Sequence, residues 1–405
     1  MRVWGNKPKK PKKHYGRKLA VSLLLLTLAA GTLNYFRPLP AIQVQYANLP
    51  TFSAEPLTLT WPNFGQAAVA TADSDILATA GTQKPLAMAS IAKVITALAL
   101  LDKYPLKPGQ TGPTFTITSA DVDIYNSYVQ KDGSVTAVSE GEKITEYQVL
   151  EALLLPSSNN LADSAAIWAY GDLPTYWEFA NRFLATHGLT QTQVGVDASG
   201  YDPASTSTAA DLAHLGLLAL KEPVLVEIMS KTHADLPVVG KVSNYNAVLG
   251  KNGIFGIKTG NNDQNHGAFL FAATVPVADS SVTVTGAVMG ASSLAEALTT
   301  SLPLISSIQT NFKEQTVLPA RTAIATYRTA WGATATARTV QDLTLLHWKG
   351  DGITIKPKLQ SIETTYISQK MGSVQARSGH TSKSTSITLD ASLSGPSFWW
   401  RLTRH

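Results

Sequence analysis

The sequence predicts an α+β protein: one antiparallel sheet carrying helices, a helical lobe inserted between parts of that sheet, and a small all-β domain at the C-terminal end. Three observations carry this expectation. β-type runs near residues 66–80 and again at 254–290 bracket a block patterned as helices. The later runs, "GIFGIKTG", "GAFLFAATV" and "SVTVTGAVMG", are separated by short polar turns, which suits antiparallel neighbours. From about Lys313 the pattern changes, and "TATARTV", "DLTLLHW", "GITIKPKL" and "STSITL" alternate in β fashion between Gly, Asp and Lys turns.

The first segment is an arm. Residues 1–18 hold eight basic side chains (Arg2, Lys7, Lys9, Lys10, Lys12, Lys13, Arg17, Lys18) and no Asp or Glu. With these set aside, 25 Lys and Arg face 28 Asp and Glu, so the body is mildly acidic despite the formal +5 of the whole chain. A localised arm of this kind argues against a nucleic-acid-binding surface. Residues 19–33, "LAVSLLLLTLAAGTL", follow as an uncharged apolar run that Asn34, Tyr35 and Phe36 can extend toward an interface. Arm and run together read as a secretory leader or a single membrane anchor. A poor cleavage site favours the anchor, with the arm cytoplasmic and the body outside. Cysteine is absent, which excludes disulfides, thiolate metal sites and cysteine nucleophiles.

Residues 37–56 contain four prolines and little periodicity and read as an extended linker. The main domain, residues 57–313, opens with a hairpin, 66–72 and 76–80, around Asp73-Ser74-Asp75. "KPLAMASIAKVITALALLDKYPL" (84–106) is a helix with Ile91, Val94, Ile95, Leu98 and Leu101 on one face. Residues 107–143 are polar and irregular. "ITEYQVLEALLLP" starts a second helix, with Thr145 and Gln148 as a capping box. Helices are expected at about 160–170 and 174–188, the latter ending at Gly188. A last helix begins at Ser293, with Glu296 completing a further capping box and Pro303 bending it. Residues 314–405 form the β-rich domain, into which "PSFWWRLTRH" is expected to pack.

The chemistry centres on Ser90 and Lys93. At i and i+3 they share a helix face, and a lysine of lowered pKa can activate a serine hydroxyl. This is the only Ser-x-x-Lys in the chain. Two further segments join it: "LLLPSSNNLAD" between two helices, and Lys258-Thr259-Gly260 at a strand end. A Lys-Thr-Gly triplet arises by chance in about one chain of this length in ten. Ser-x-x-Lys, Ser-x-Asn and Lys-Thr-Gly, in that order, form the motif set of penicillin-binding proteins and serine β-lactamases.

With "GEKITEYQVLEALLLPSSNNLAD" and "FLATHGLTQTQVGVDASGYDPASTSTAADLAHLG", the chain resembles the low-molecular-mass D-alanyl-D-alanine carboxypeptidases of peptidase family S11 over about residues 57–290. The resemblance implies a β-lactamase-like fold and a serine-type D-Ala-D-Ala carboxypeptidase without cofactor or metal. Its partners would be peptidoglycan stem peptides ending in D-Ala-D-Ala, β-lactams as covalent inhibitors, and a membrane through the N-terminal segment. It implies Ser90 as nucleophile, Lys93 as general base and Ser157 as proton relay to the leaving D-alanine. Asn159 would hold the substrate backbone. Lys258 would keep the site electropositive and lower the Lys93 pKa, Thr259 would bind the terminal carboxylate, and Gly260 would admit the substrate. The N–H groups of Ser90 and Asn261 would form the oxyanion hole.

The chain departs from the family's pattern in two places. The second motif reads Ser157-Ser158-Asn159-Asn160, so Ser158/Asn160 is a competing register, and "LLLP" aligns better with Ser157. The turn after Gly260, "NNDQNHGAFLF", is one residue longer than usual. Asp263 and His266 beside it read as a polar turn rather than parts of a Ser-His-Asp triad, and the eight histidines lack metal-ligand spacing. The alternatives are a D,D-endopeptidase or β-lactamase of the same superfamily, or a catalytically silent wall-binding protein.

Overall fold

The computed structural model describes residues 1, 5, 15–72, 75–262, 267–360 and 370–404. Of the eight basic side chains of the arm only Arg17 and Lys18 lie among them, and Asp73 and Ser74 of the expected hairpin turn lie outside. Helix α1 (Tyr15–Phe36) is about 33 Å long at 1.5 Å per residue, close to the hydrocarbon thickness of a bilayer. Leu23, Leu24, Leu25 and Leu26 on it are exposed. Gly16–Phe36 is long and apolar enough to cross a membrane, a test that a signal sequence also passes.

Residues 37–56, expected to be an extended linker, are tied to the folded body at three places. Strand β1 (Gln43–Tyr46) pairs antiparallel with Ala323–Arg328, Phe52 bridges to Ile353, and the Glu55 carboxylate meets Lys313 at 2.8 Å. The segment covers an open edge of the C-terminal sheet, which would otherwise expose unpaired backbone groups.

The central sheet contains β2 (Gln66–Thr71), β3 (Asp75–Ala80), β4 (Ile254–Gly260), β5 (Gly267–Val277) and β6 (Ser280–Ala291). Their spatial order is β4-β5-β6-β2-β3, all antiparallel. Strand alternation divides the core. Ala68, Leu270, Ala287 and Met289 face the helical lobe, whereas Val69, Phe269, Phe271 and Val288 face the helix Leu294–Gln309.

The helical side holds α2 (Ala92–Lys103), α3 (Ser119–Gln130), α4 (Glu146–Leu154), α5 (Asn159–Tyr170), α6 (Leu173–Thr186) and α7 (Ala209–Ala219). The Thr145/Gln148 capping box is present. Helix α3 lies in the stretch expected to be irregular. It buries only Tyr128 fully, so it shows no apolar stripe, but Thr118 and Asp121 form a capping box that marks its start. At the Leu294 helix, Ser293 accepts from the Glu296 N–H, while the Glu296 carboxylate accepts from Ser292 N–H and Oγ instead of closing the box on Ser293. That helix runs through Pro303 without interruption.

Glu146 opens α4 fully buried, and neither carboxylate oxygen has a hydrogen-bond partner. Burial pushes its pKa up to about 7 from 4.5. A carboxyl with a raised folded-state pKa stabilises fully below pH 4.5 and loses that contribution as pH rises through about 7. Glu146→Gln should therefore flatten the fall in stability between pH 5 and 8, an effect of order 3 kcal/mol at most, read from melting curves.

The C-terminal sheet has its own core, including Val317, Ile324, Tyr327, Leu345, Val374 and Ile387. "PSFWWRLTRH" packs on this domain in part, as expected, with Trp400 edge-on to Trp331 at 5.6 Å between ring centroids. It forms a helix, Phe398–Thr403, against the end of α1, with Phe398 beside Tyr35. The Arg404 guanidinium donates to the carbonyls of Asn34, Arg37 and Pro38, capping the last turn of α1.

Candidate active site

Ser90 sits in a 3-10 turn, Ala89–Ile91, that feeds directly into α2. Ala89 adopts φ 49°, and Gly200 packs so close that a Cβ there would collide with the Ala89 carbonyl and the Ala92 side chain. Helix α2 is buried on all sides from Ala92 to Leu101, not only on the face anticipated from the apolar spacing. That burial fixes the turn carrying Ser90 and takes Lys93 out of solvent completely.

The Lys93 ammonium has three partners: Ser90 Oγ at 2.9 Å, Asn159 Oδ1 at 2.6 Å and the Ser199 carbonyl at 2.9 Å. A protonated amine donates to all three. A neutral amine donates to Asn159 and Ser199 and presents its lone pair to the Ser90 hydroxyl. Burial brings the Lys93 pKa down to about 7, against the opposing pull of the Asp197 and Asp163 carboxylates. Burial, rather than Lys258, is the main cause.

The second motif separates by side chain. Ser157 is held at φ 64°, lines the cleft, and its buried Oγ has no hydrogen-bond partner. Asn159 lines the same cleft and touches Lys93. Ser158 instead caps α5 and donates to Asn160 Oδ1, while Asn160 bonds both backbone groups of Thr136. The structure therefore brings Ser157 and Asn159 to Ser90 and turns Ser158 and Asn160 into the body.

Strand β4 delivers the third motif, paired Lys258 to Leu270, Thr259 to Phe269 and Gly260 to Ala268. Thr259 and Asn261 line the cleft, a space of about 320 Å³. Lys258 lies buried, its ammonium donating to the Thr259 carbonyl. Burial, helped by nearby Lys93, holds its pKa well below the usual lysine value. Gly260 carries a constraint of its own: a Cβ would lie 2.7 Å from the Met88 carbonyl. Gly260→Ala should push β4 away from the Ser90 turn and slow acylation about tenfold or more, measured by the rate of penicillin labelling. Asp263 and His266 lie outside the described residues.

Several groups at or behind the cleft are not marked by any motif. Tyr201 and Tyr245 line it, and Tyr201 donates its hydroxyl to the Lys131 carbonyl. Asp163, Asp197, Tyr128 and Ser199 lie behind Lys93. The "VDASGY" stretch offered a weak signal, since small residues around an Asp in a loop suit backbone hydrogen bonding.

Comparison with known proteins bears on this geometry. The family described as D-alanyl-D-alanine carboxypeptidase, Peptidase S11, matches residues 66–293, more than half of the chain and the whole span from β2 to the start of the Leu294 helix. D-alanyl-D-alanine carboxypeptidase DacB2 of Mycobacterium tuberculosis is 31% identical over 153 residues. The aligned part covers 37% of this chain, and the chain spans about half (47%) of that curated relative. Penicillin binding protein 5 from Haemophilus influenzae superposes with a TM-score of 0.58 at 19% identity, over 85% of this chain and 98% of that one. Penicillin binding protein 6B from Escherichia coli gives 0.59 at 19% identity, over 85% and 99%. At such identities the likeness is one of fold, and it agrees with the expected antiparallel sheet carrying helices. Because the matched span holds all three motifs and the strands and helices that present them, the chain belongs to the D-alanyl-D-alanine carboxypeptidases of peptidase family S11.

Proposed function

We propose that the protein is a serine-type D-Ala-D-Ala carboxypeptidase that removes the terminal D-alanine from peptidoglycan stem peptides. The observation that carries this reading is the buried Lys93, 2.9 Å from Ser90 Oγ and poised near neutral pH. Neutral Lys93 takes the Ser90 proton as Oγ attacks the carbonyl of the penultimate D-alanine. The N–H groups of Ser90 and Asn261 receive the developing oxyanion. As the peptide bond breaks, the proton passes from Lys93 through Ser157 to the departing amine. Water then attacks the acyl ester, Lys93 again accepts the proton, and Ser90 is restored.

Asn159 orients both Lys93 and the substrate amide. Thr259 and the Lys258 charge receive the terminal carboxylate, whose arrival favours the protonated form of Lys258. β-Lactams would acylate the same serine. The proposed organisation is an anchor in α1, a peptidase domain at 57–313 and a β-rich domain at 314–405, supported by the separate cores of the two sheets. The anchor would leave the peptidase domain extracytoplasmic. The test is release of D-alanine from a peptide ending in D-Ala-D-Ala by the purified full chain in detergent. A folded protein that labels with no penicillin and releases no D-alanine would refute the reading.

A further inference from the structure

Behind Lys93 lies a pair of carboxylates that none of the three motifs includes. Asp163 on α5 is 6% exposed and Asp197 in the loop after α6 is 9% exposed. They share one short stretch of backbone. Asp163 Oδ1 accepts the Ala198 N–H at 2.8 Å, and Asp197 Oδ1 accepts the Ser199 N–H at 2.7 Å and the Ser199 hydroxyl at 2.8 Å. Asp197 also accepts from the N–H groups of Tyr201 and Asp202. Asp163 Oδ2 accepts the Tyr128 hydroxyl at 2.7 Å, and that hydroxyl lies 3.3 Å from Ser199 Oγ.

The consequence is directional. The Ser199 N–H, held by Asp197, shares a peptide plane with the Ala198 carbonyl and turns it the other way, into α2, while the Ser199 carbonyl, one peptide further on, is placed by Asp197 holding Ser199 at both its N–H and its hydroxyl. Thr96 Oγ1 donates to the Ala198 carbonyl at 2.6 Å, and Lys93 donates to the Ser199 carbonyl at 2.9 Å. The two acids therefore hold the stretch of backbone from which an acceptor reaches Lys93, and place two negative charges near it.

We propose that Asp163 and Asp197 are positioning residues for Lys93: they pin the backbone that presents the Ser199 carbonyl and set, through their charge, the pH at which Lys93 becomes free to activate Ser90. This rests on the reading of Lys93 as general base. Other titratable groups around Lys93 are accounted for. Lys258 on β4 opposes its protonation and Tyr128 on α3 is tied to Asp163. Tyr176 on α6 bonds Thr96, Glu151 on α4 pairs with Lys231, and Asp211 on α7 bonds Thr192. His214 on α7 lines a separate surface cavity. Burial and Asp197 raise Asp163 to about 6, so it titrates beside Lys93 and the two are coupled.

The test follows the rate of covalent labelling by a fluorescent penicillin from pH 5 to 9 in the full-length protein. Labelling should rise with pH as Lys93 loses its proton. Asp163→Asn keeps the shape and can still accept from Ala198, but removes one charge that favours the ammonium. Its midpoint should move about one pH unit lower, with the high-pH rate changed less than about tenfold. Asp197→Asn should shift the midpoint in the same direction. A purely structural role would lower the rate at every pH and leave the midpoint in place, which would overturn the proposal. If a variant does not melt cooperatively, the parent profile decides, since coupling to Asp163 makes its rise broader than a single ionisation and a single-ionisation rise contradicts the proposal. A parent protein that does not label, or a Ser90→Ala protein that labels equally, instead removes the underlying reading of Ser90 and Lys93.

Discussion

Ser90→Ala should abolish covalent labelling by penicillin and lower D-alanine release by about 10⁴-fold or more, while the melting temperature stays near that of the parent. The two halves of this expectation have different causes. The Ser90 hydroxyl bonds only the Lys93 amine among the described side chains, so its loss leaves the turn Ala89–Ile91 intact. That turn is held by the Met88 N–H on the Ser205 carbonyl and by the packing of Gly200 against Ala89. Among the described residues no other side-chain hydroxyl bonds the Lys93 amine. Ser157 reaches the cleft, but the Lys93 amine reaches Ser90, Asn159 and Ser199 and has no bond to Ser157. Labelling kinetics and thermal melting on the same preparations check both halves.

Lys93→Met should slow acylation by about 10³-fold, and the residual rate should lose its dependence on pH near 7. Methionine is close to lysine in volume, so the core around Ile91, Val94 and Leu98 stays filled. What disappears is the proposed base, which is also the donor shared by Asn159 and Ser199. Leaving two buried acceptors unpaired costs about 1–3 kcal/mol each. Removing a buried charge opposite Asp163 and Asp197 acts in the same sense. Stability should fall measurably, but the loss in rate is much larger than partial unfolding explains. Penicillin labelling across pH, normalised to the folded fraction from circular dichroism, separates the two.

Much of this was legible in the sequence because it is encoded locally. Ser90 and Lys93 are one turn apart, the Thr145/Gln148 box marks its helix, and the β4–β5–β6 runs are joined by short connections. What was not legible is nonlocal or lacks a pattern. Asp163 looks like an ordinary polar residue in an Ala-rich helix, and its partners Tyr128 and Ala198 are 35 residues away on either side. Helix α3 has too few buried positions to produce an apolar stripe, so only its cap announced it. The strand at 43–46, Gln-Val-Gln-Tyr, is only four residues long with no buried position, and its pairing with Ala323–Arg328 is what makes it a strand. The helix at Phe398–Thr403 is too short to be read without its partner α1, more than 360 residues earlier. The register of the second motif could not be chosen on spacing alone. The geometry supports the proposed Ser157/Asn159 register: Ser157, at φ 64°, lines the cleft, while Ser158 caps α5.

The most direct measurement is peptide mass mapping of the penicillin adduct on the full-length protein. The expected result is a single adduct of one penicillin per chain, on the peptide containing Ser90 and absent from Ser90→Ala. An adduct on Ser157 or any other residue, or a folded protein that forms none, contradicts the assignment of Ser90 as the nucleophile.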